Sequence, residues 1–207
     1  MVQTPVANIL NNLRKIESCS VMHNQPGYYM ISGDVAPVWY IPACMLYLVS
    51  PAGSEIEIEV MVDDFNCRTS EIILFDGWYL VDRVTHKITP VPEDLSRNSS
   101  RIYNACDSSK RMLRTSQNFA EVVYDLKPLQ WIVIKVDFRN QRQGCDMLLP
   151  EAAGEYMMSN NGHAGVCRWY VTGSVVLDIM DTNLNGKSQV NVMQTDHTKN
   201  PCRSVAA

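Results

Sequence analysis

Apolar and polar residues alternate with a period of two over most of this chain, and that period predicts strands rather than helices. Glu55-Ile56-Glu57-Ile58-Glu59-Val60-Met61-Val62 alternates strictly through Val60, which gives a strand with one wet face and one buried face. Ile72-Ile73-Leu74-Phe75 is a short apolar run stopped by the turn dipeptide Asp76-Gly77. Phe119–Tyr124 and Trp131–Phe138 are β-branched and aromatic runs separated by Asp125-Leu126-Lys127-Pro128, where Pro128 marks the turn. Beyond Cys145 the pattern restarts: Glu155–Met158, Val166–Val171 and Val175–Met180 read as strands, with Asn161-Gly162 and Asn185-Gly186 as turns. Thr89–Arg101 has two prolines, several serines and no period, and reads as a long exposed loop. Only the opening departs from this picture. Val6, Ile9, Leu10, Leu13 and Ile16 stand at helical spacing behind Pro5, which predicts a short N-terminal helix over residues 1–18.

Many short strands with regular turns imply an all-β fold, an antiparallel β-sandwich over residues 19–140. A polar stretch at Asn140–Gly144 reads as a linker. Residues 145–207 are too few for an independent sandwich and read as an incomplete second β-domain. With 46% hydrophobic and 19% charged residues, the chain has enough apolar side chains for a core. A net charge of −4 argues against a nucleic-acid partner, which requires a basic face. The short basic cluster at Lys110, Arg111 and Arg114 reads as a solvated loop.

The seven cysteines change the picture most. Cys19, Cys44, Cys67, Cys106, Cys145, Cys167 and Cys202 are spaced by tens of residues with no CxxC, unlike a zinc site. Taken in sequence order they would close the loops Cys19–Cys44, Cys67–Cys106 and Cys145–Cys167, although spacing alone leaves the connectivity open. Each bridge would contribute on the order of 3–4 kcal/mol by restricting the unfolded chain. Cys202 is left unpaired, available for a disulfide-linked dimer. Stable bridges imply an oxidising, extracellular compartment, and the sequon Asn98-Ser99-Ser100 in a polar loop agrees as a glycosylation acceptor. Residues 1–18 hold no signal-like apolar core and no segment is long enough to span a membrane, so a secreted protein would be represented by a mature or partial chain.

Catalytic and metal chemistry finds little support. His23, His86, His163 and His197 lie in polar contexts, and no GxSxG elbow accompanies them. His163-x-x-x-Cys167 lacks a second pair to complete a tetrahedral shell, and Asp63-Asp64 offers too few oxygens for calcium. Neither a cofactor nor a metal is expected. Trp39, Tyr40, Met45, Tyr47, Trp78 and Tyr79 are of the types that dominate interfaces, and would either line a peptide groove or fill the sandwich.

Two motifs carry a resemblance. Cys67, then eight intervening residues and Asp76-Gly77, then Cys106 and Thr115-Ser116-Gln117-Asn118 before an apolar strand, resembles a CUB domain. Phe75-Asp76-Gly77-Trp78 and the run Ser109–Asn118 are similar, more narrowly, to the corticotropin-releasing-factor-binding protein family, whose cysteine order also matches over roughly Cys19 to Cys202. The resemblance implies a CUB-like, jelly-roll-like sandwich in a pair of disulfide-bridged units. It also implies sequestration of a corticotropin-releasing-factor-like or diuretic-hormone-like peptide, an amphipathic helix needing an apolar groove with a polar rim. It places ligand contacts near the first cysteine, at Arg14, Lys15 and Met22, and the interface reading of the aromatic residues adds Trp39 and Tyr40. The family's last strands and cysteines have no counterpart here, which fits a chain truncated before the end of the second domain. Ser70 stands where the calcium-binding CUB branch carries an acid, so no calcium site is carried over. The expected function is a secreted, non-enzymatic peptide-hormone-binding protein. The alternatives are a structural or matrix-interaction CUB protein, whose partner is another extracellular protein, and a noncatalytic fragment of an extracellular protease.

Overall fold

The computed structural model describes residues 13–35, 43–81, 88–91, 101–107, 111–140, 147–149, 155–156, 167–171, 176, 178, 191–193 and 204–206. Its strands are β1 (Leu13–Lys15), β2 (Ser20–His23), β3 (Gly27–Ser32), β4 (Cys44–Val49), β5 (Ser54–Asp64) and β6 (Glu71–Phe75). They continue as β7 (Trp78–Val81), β8 (Ile88–Val91), β9 (Ile102–Asn104), β10 (Met112–Arg114), β11 (Phe119–Asp125) and β12 (Trp131–Asn140). Beyond these come β13 (Met147–Leu149), β14 (Trp169–Val171), β15 (Asn191–Met193) and β16 (Ser204–Ala206).

Two five-stranded sheets form the sandwich. The first has the order β1-β3-β12-β5-β10 and the second the order β2-β4-β11-β6-β9. Pairing is antiparallel except at one edge of each sheet, where β1 runs parallel to β3 and β2 parallel to β4. The inner faces follow the period of two. Tyr29, Ile31, Ile56, Ile58, Ile132 and Ile134 of the first sheet meet Leu46, Leu48, Ile72, Leu74 and Val122 of the second, all fully buried. Each such side chain contributes about 1.5–3 kcal/mol by leaving water. The expected all-β sandwich is therefore the fold.

The alternation of β5 breaks where the sequence pattern weakens. Val133 pairs with Val62 and Ile134 with Val60, so Met61 is an extra residue in β5, a β-bulge. The bulge turns the rest of the strand over: Val60 is buried in the core, whereas Val62 is 44% exposed. At the β11–β12 turn, Leu129 has φ 70°, a left-handed conformation strained for a side chain bearing a Cβ. Gly33 lies against that turn, donating from its N–H to the Gln130 carbonyl at 2.9 Å, and a Cβ there would overlap the Lys127 carbonyl.

Two disulfides are as the cysteine order suggested, Cys19–Cys44 and Cys67–Cys106, with Cα–Cα distances of 4.5 and 5.8 Å. Cys67–Cys106 joins the segment after β5 to the turn after β9 and so ties one sheet to the other. Cys19–Cys44 fixes the start of β2 beside the start of β4, where the Met45 N–H also donates to the Cys19 carbonyl at 2.7 Å. Cys167 is disulfide-bonded as well. Cys145 and Cys202 lie outside the described residues.

Several expectations are corrected. The N-terminal helix does not extend through residues 13–18: Leu13–Lys15 is an edge strand, and Ile16 continues it by donating to the Met30 carbonyl at 2.9 Å. Leu13 and Ile16 fit a helical stripe only by spacing; pairing with β3 satisfies their backbone and buries Ile16. Residues 1–12 lie outside the described residues. The loop expected over Thr89–Arg101 begins with a strand, because Ile88–Val91 pairs with β7 as a hairpin. Residues 155 and 156 belong to no strand; of the expected Val166–Val171 strand, Trp169–Val171 is strand and residues 167 and 168 are not; and residues 176 and 178 are likewise outside any strand. The remaining residues of those segments, with the turns at 161–162 and 185–186, lie outside the described residues.

Candidate functional site

Arg14, Lys15 and Met22 do not form one surface. Arg14 lies at the open edge between the sheets, where its Nη1 donates to the Tyr29 hydroxyl at 2.9 Å and its guanidinium stands 5.5 Å from the Tyr29 ring centroid. The Tyr29 hydroxyl passes the bond on to the Gln25 carbonyl at 2.5 Å, and the His23 ring packs against Tyr29 at 5.1 Å. Burial, then the Arg14 charge, hold the His23 imidazole below its ordinary pKa. Arg14 and His23 thus plug the edge of the core. Lys15, one residue on, points to the outer face of the first sheet, and Met22 lies on the outer face of the second, 60% exposed. Trp39, Tyr40 and Asn98, with His86, His163 and His197, lie outside the described residues.

The two motifs that carried the resemblance meet in space. Arg101 Nε pairs with Asp76 Oδ2 at 3.1 Å, while Asp76 Oδ1 accepts from the Ser116 N–H at 2.9 Å and Gln117 Nε2 at 2.7 Å. Arg101 Nη2 also donates to Gln117 Oε1 at 2.6 Å. Thr115 exchanges backbone and side-chain bonds with Ile56, extending the pairing of β10 along β5. Burial raises the Asp76 pKa even though Arg101 and Ser116 oppose it. Buried and saturated, this network locks the corner between β6 and β7 onto the β10–β11 connection; its role is architectural.

One end of the second sheet's outer face is apolar and covered, while Met22 at its edge stays exposed. Trp78 of the β7–β8 hairpin, Val49, Phe119 and Leu148 form a second buried cluster, with Tyr47 and Tyr170 against it. Trp78 meets Tyr47 and Phe119 edge-on at 5.3 and 5.4 Å, and Phe119 meets Tyr170 at 5.7 Å. Each such pair contributes about 0.5–1.5 kcal/mol beyond its burial. Asn118 holds β13 in place as a strand backbone would: the Leu148 N–H donates to Asn118 Oδ1, and Asn118 Nδ2 donates to the Leu148 carbonyl, both at 2.7 Å. Tyr47 and Trp78 therefore pack within this cluster, and the Tyr79 ring meets Phe75 edge-on at 4.7 Å.

Beneath the hairpin sits a residue that the sequence reading passed over. Glu121 is fully buried on this face, between Tyr47 and Phe75 of the neighbouring strands. Its Oε2 accepts the Tyr79 N–H at 2.6 Å, and Oε1 has no partner. Burial pushes its pKa to about 8, against the lowering effect of the Tyr79 bond, so the carboxyl is neutral at pH 7. The signal was in the period: Glu121 shares its alternating face with Phe119 and Val123, an apolar row in which a carboxyl is out of place.

The outer face of the first sheet divides in two. One half is a charge lattice: Arg114 pairs with Glu55 and Glu57 at 3.1 Å, Arg139 with Glu57 at 3.3 Å, and Lys135 with Asp137 at 2.6 Å. The other half is apolar. Met30, Val133 and Val62 are cross-strand neighbours in one row, with Trp131 in the next row and Tyr28 and Leu13 in the row below. Val133 is buried by its neighbours, Met30, Tyr28 and Trp131 are half-buried, and Val62 is 44% exposed.

A shallow open depression beside Cys67–Cys106 is lined by Ser70, Glu71, Asn104 and Asp125, among others. Among the described residues no three His, Cys, Asp or Glu side chains gather as metal ligands, and no helix is long and apolar enough to cross a membrane. The disulfides and the all-β fold are compatible with an extracellular protein. No family model matches the chain, and no curated protein matches it. Among solved structures, the full extracellular region of zebrafish Gpr126/Adgrg6 is similar over 57% of this chain and 15% of that one, at 16% identity and a TM-score of 0.28, a likeness too slight to carry any argument.

Proposed function

We propose that this chain is a secreted, non-enzymatic binding protein that sequesters an amphipathic peptide of the corticotropin-releasing-factor or diuretic-hormone type. Its buried polar groups serve the fold: Asp76 and Arg101 saturate each other, and Glu121 is sealed under a hairpin. Such groups offer no exposed nucleophile or base. What remains is surface. One observation carries the reading: the chain covers the aromatic cluster on the outer face of its second sheet with its own hairpin and β13, leaving only edge residues such as Met22 exposed there, yet leaves Val62 and Trp131 in the middle strands of the first sheet in contact with solvent. An apolar strip bordered by charges is the surface on which the apolar face of a helical peptide docks.

The reading is tested by titrating a fluorescently labelled corticotropin-releasing-factor-like peptide against the oxidised protein. Saturable binding at micromolar or lower concentration, lost when the disulfides are reduced, is the expected result. Absence of saturable binding throughout the micromolar range would contradict it.

A further inference from the structure

Exposed charges without an ion pair among the described residues flank the apolar half of the first sheet's outer face, Lys15 on one side and Asp64 on the other. Lys15 is exposed, stands beside Met30 in the register, and makes no ion pair among the described residues. At the far side Asp64 is exposed beside Trp131 and is likewise unpaired among the described residues. Of the other charges nearby, Lys135 pairs with Asp137 at 2.6 Å and Arg111 with Asp63 at 3.1 Å, whereas Glu59, opposite Lys135 in the register, and the exposed Glu17, two residues beyond Lys15, make no ion pair among the described residues. Between Lys15 and Asp64 run Met30, Val133, Trp131 and Val62. We infer that this strip receives a short amphipathic helix lying across β3, β12 and β5, with an acidic side chain at its Lys15 end and a basic one at its Asp64 end.

The dimensions agree. From β1 to β5 is three strand spacings, about 14 Å, which a helix of about ten residues covers. Two to three turns present apolar side chains at i, i+3 or i+4, and i+7, enough to meet Met30, Val133 with Trp131, and Val62 in turn. A second copy of the chain is the less fitting occupant, because a strip one helix wide falls well short of the roughly 800 Å² per partner of a standard protein interface. Charge placement fixes the orientation of the guest, as complementary rims do elsewhere.

The inference rests on the peptide-binding reading and names its surface. The test uses the oxidised full chain and three labelled twelve-residue peptides with one shared leucine face, charged acidic–basic, basic–basic or acidic–acidic at their two ends. The acidic–basic peptide is expected to bind at least tenfold more tightly than the other two. Lys15→Glu should transfer the preference to the basic–basic peptide and Asp64→Lys to the acidic–acidic one, while Val62→Asp weakens all three by tenfold or more. Both charge reversals lie on exposed side chains, and unchanged circular dichroism confirms that they fold. Equal affinities that ignore the swaps would overturn the inference. So would self-association in sedimentation velocity that the same swaps abolish, because the occupant would then be a second copy. If the hormone-like peptide binds but neither reversal moves it, this surface is wrong and the reading stands; if no peptide binds at all, the reading falls and this inference with it.

Discussion

The two sheets of the sandwich carry apolar residues on both of their faces, and their outer faces are treated in opposite ways. The aromatic part of the second sheet's outer face is sealed by a hairpin and a short strand, tightly enough that Glu121 loses all contact with water and keeps its proton. The outer face of the first is left half as a lattice of ion pairs and half as an apolar strip reaching solvent. The difference separates two uses of the same chemistry. An apolar face that the chain itself covers adds to stability, whereas one it leaves open is available to another molecule.

The contrast is broken most directly at its two tryptophans. Trp78 is 4% exposed, and its Nε1–H donates to the Ala120 carbonyl at 2.8 Å. Trp78→Ala is expected to destabilise the protein by about 3–5 kcal/mol in urea unfolding. Trp131→Ala on the open strip should remain below about 1.5 kcal/mol. Equal losses would show that the two faces do not differ.

Glu121 sharpens the comparison through pH. Its folded pKa of about 8 lies above the ordinary 4.5, so between those values the folded protein holds a proton that the unfolded chain has released. Stability must therefore fall as pH rises through that window, by a total on the order of 5 kcal/mol, and level off above it. Glu121→Gln keeps an acceptor for the Tyr79 N–H without the charge and should flatten the profile, leaving the variant more stable than the parent at pH 9. Parallel profiles for the two proteins would place Glu121 in water.

Asn118→Ala strips β13 of its partner and leaves a backbone N–H and carbonyl of Leu148 buried without one. A loss of about 2 kcal/mol is expected, with faster amide exchange at Met147–Leu149 than at β12. The smallest effect belongs to the lattice. Glu57→Gln removes ion pairs to Arg114 and Arg139 that lie half in water, and should cost below about 1 kcal/mol, shrinking further in high salt.

Much of the sandwich was legible in the sequence because burial imposes the period of two. β5, β6, β11 and β12 stand where the alternation and the Asp76-Gly77 and Pro128 signals place them. The three-residue strand β1 was not, since so short an edge strand draws its pattern from β3 rather than from its own residues. The cover of the second sheet was also hidden. It depends on Asn118 imitating a strand edge and on Leu148 arriving from well down the chain, neither of which leaves a periodic mark. The open strip was visible only in part, because the bulge at Met61 sends Val62 outward against the alternation. Arg14 and Met22 could be picked out as residue types, but not the opposite directions in which edge strands of different sheets aim them.

Carbene footprinting of the oxidised protein, with and without a saturating amphipathic peptide, tests the asymmetry of the two faces in one measurement. Labelling of Met30, Val62 and Trp131 should fall when the peptide is bound, while Trp78 and Phe119 stay unlabelled in both states. Protection at Met22 with unchanged labelling of Val62 and Trp131 would contradict the account.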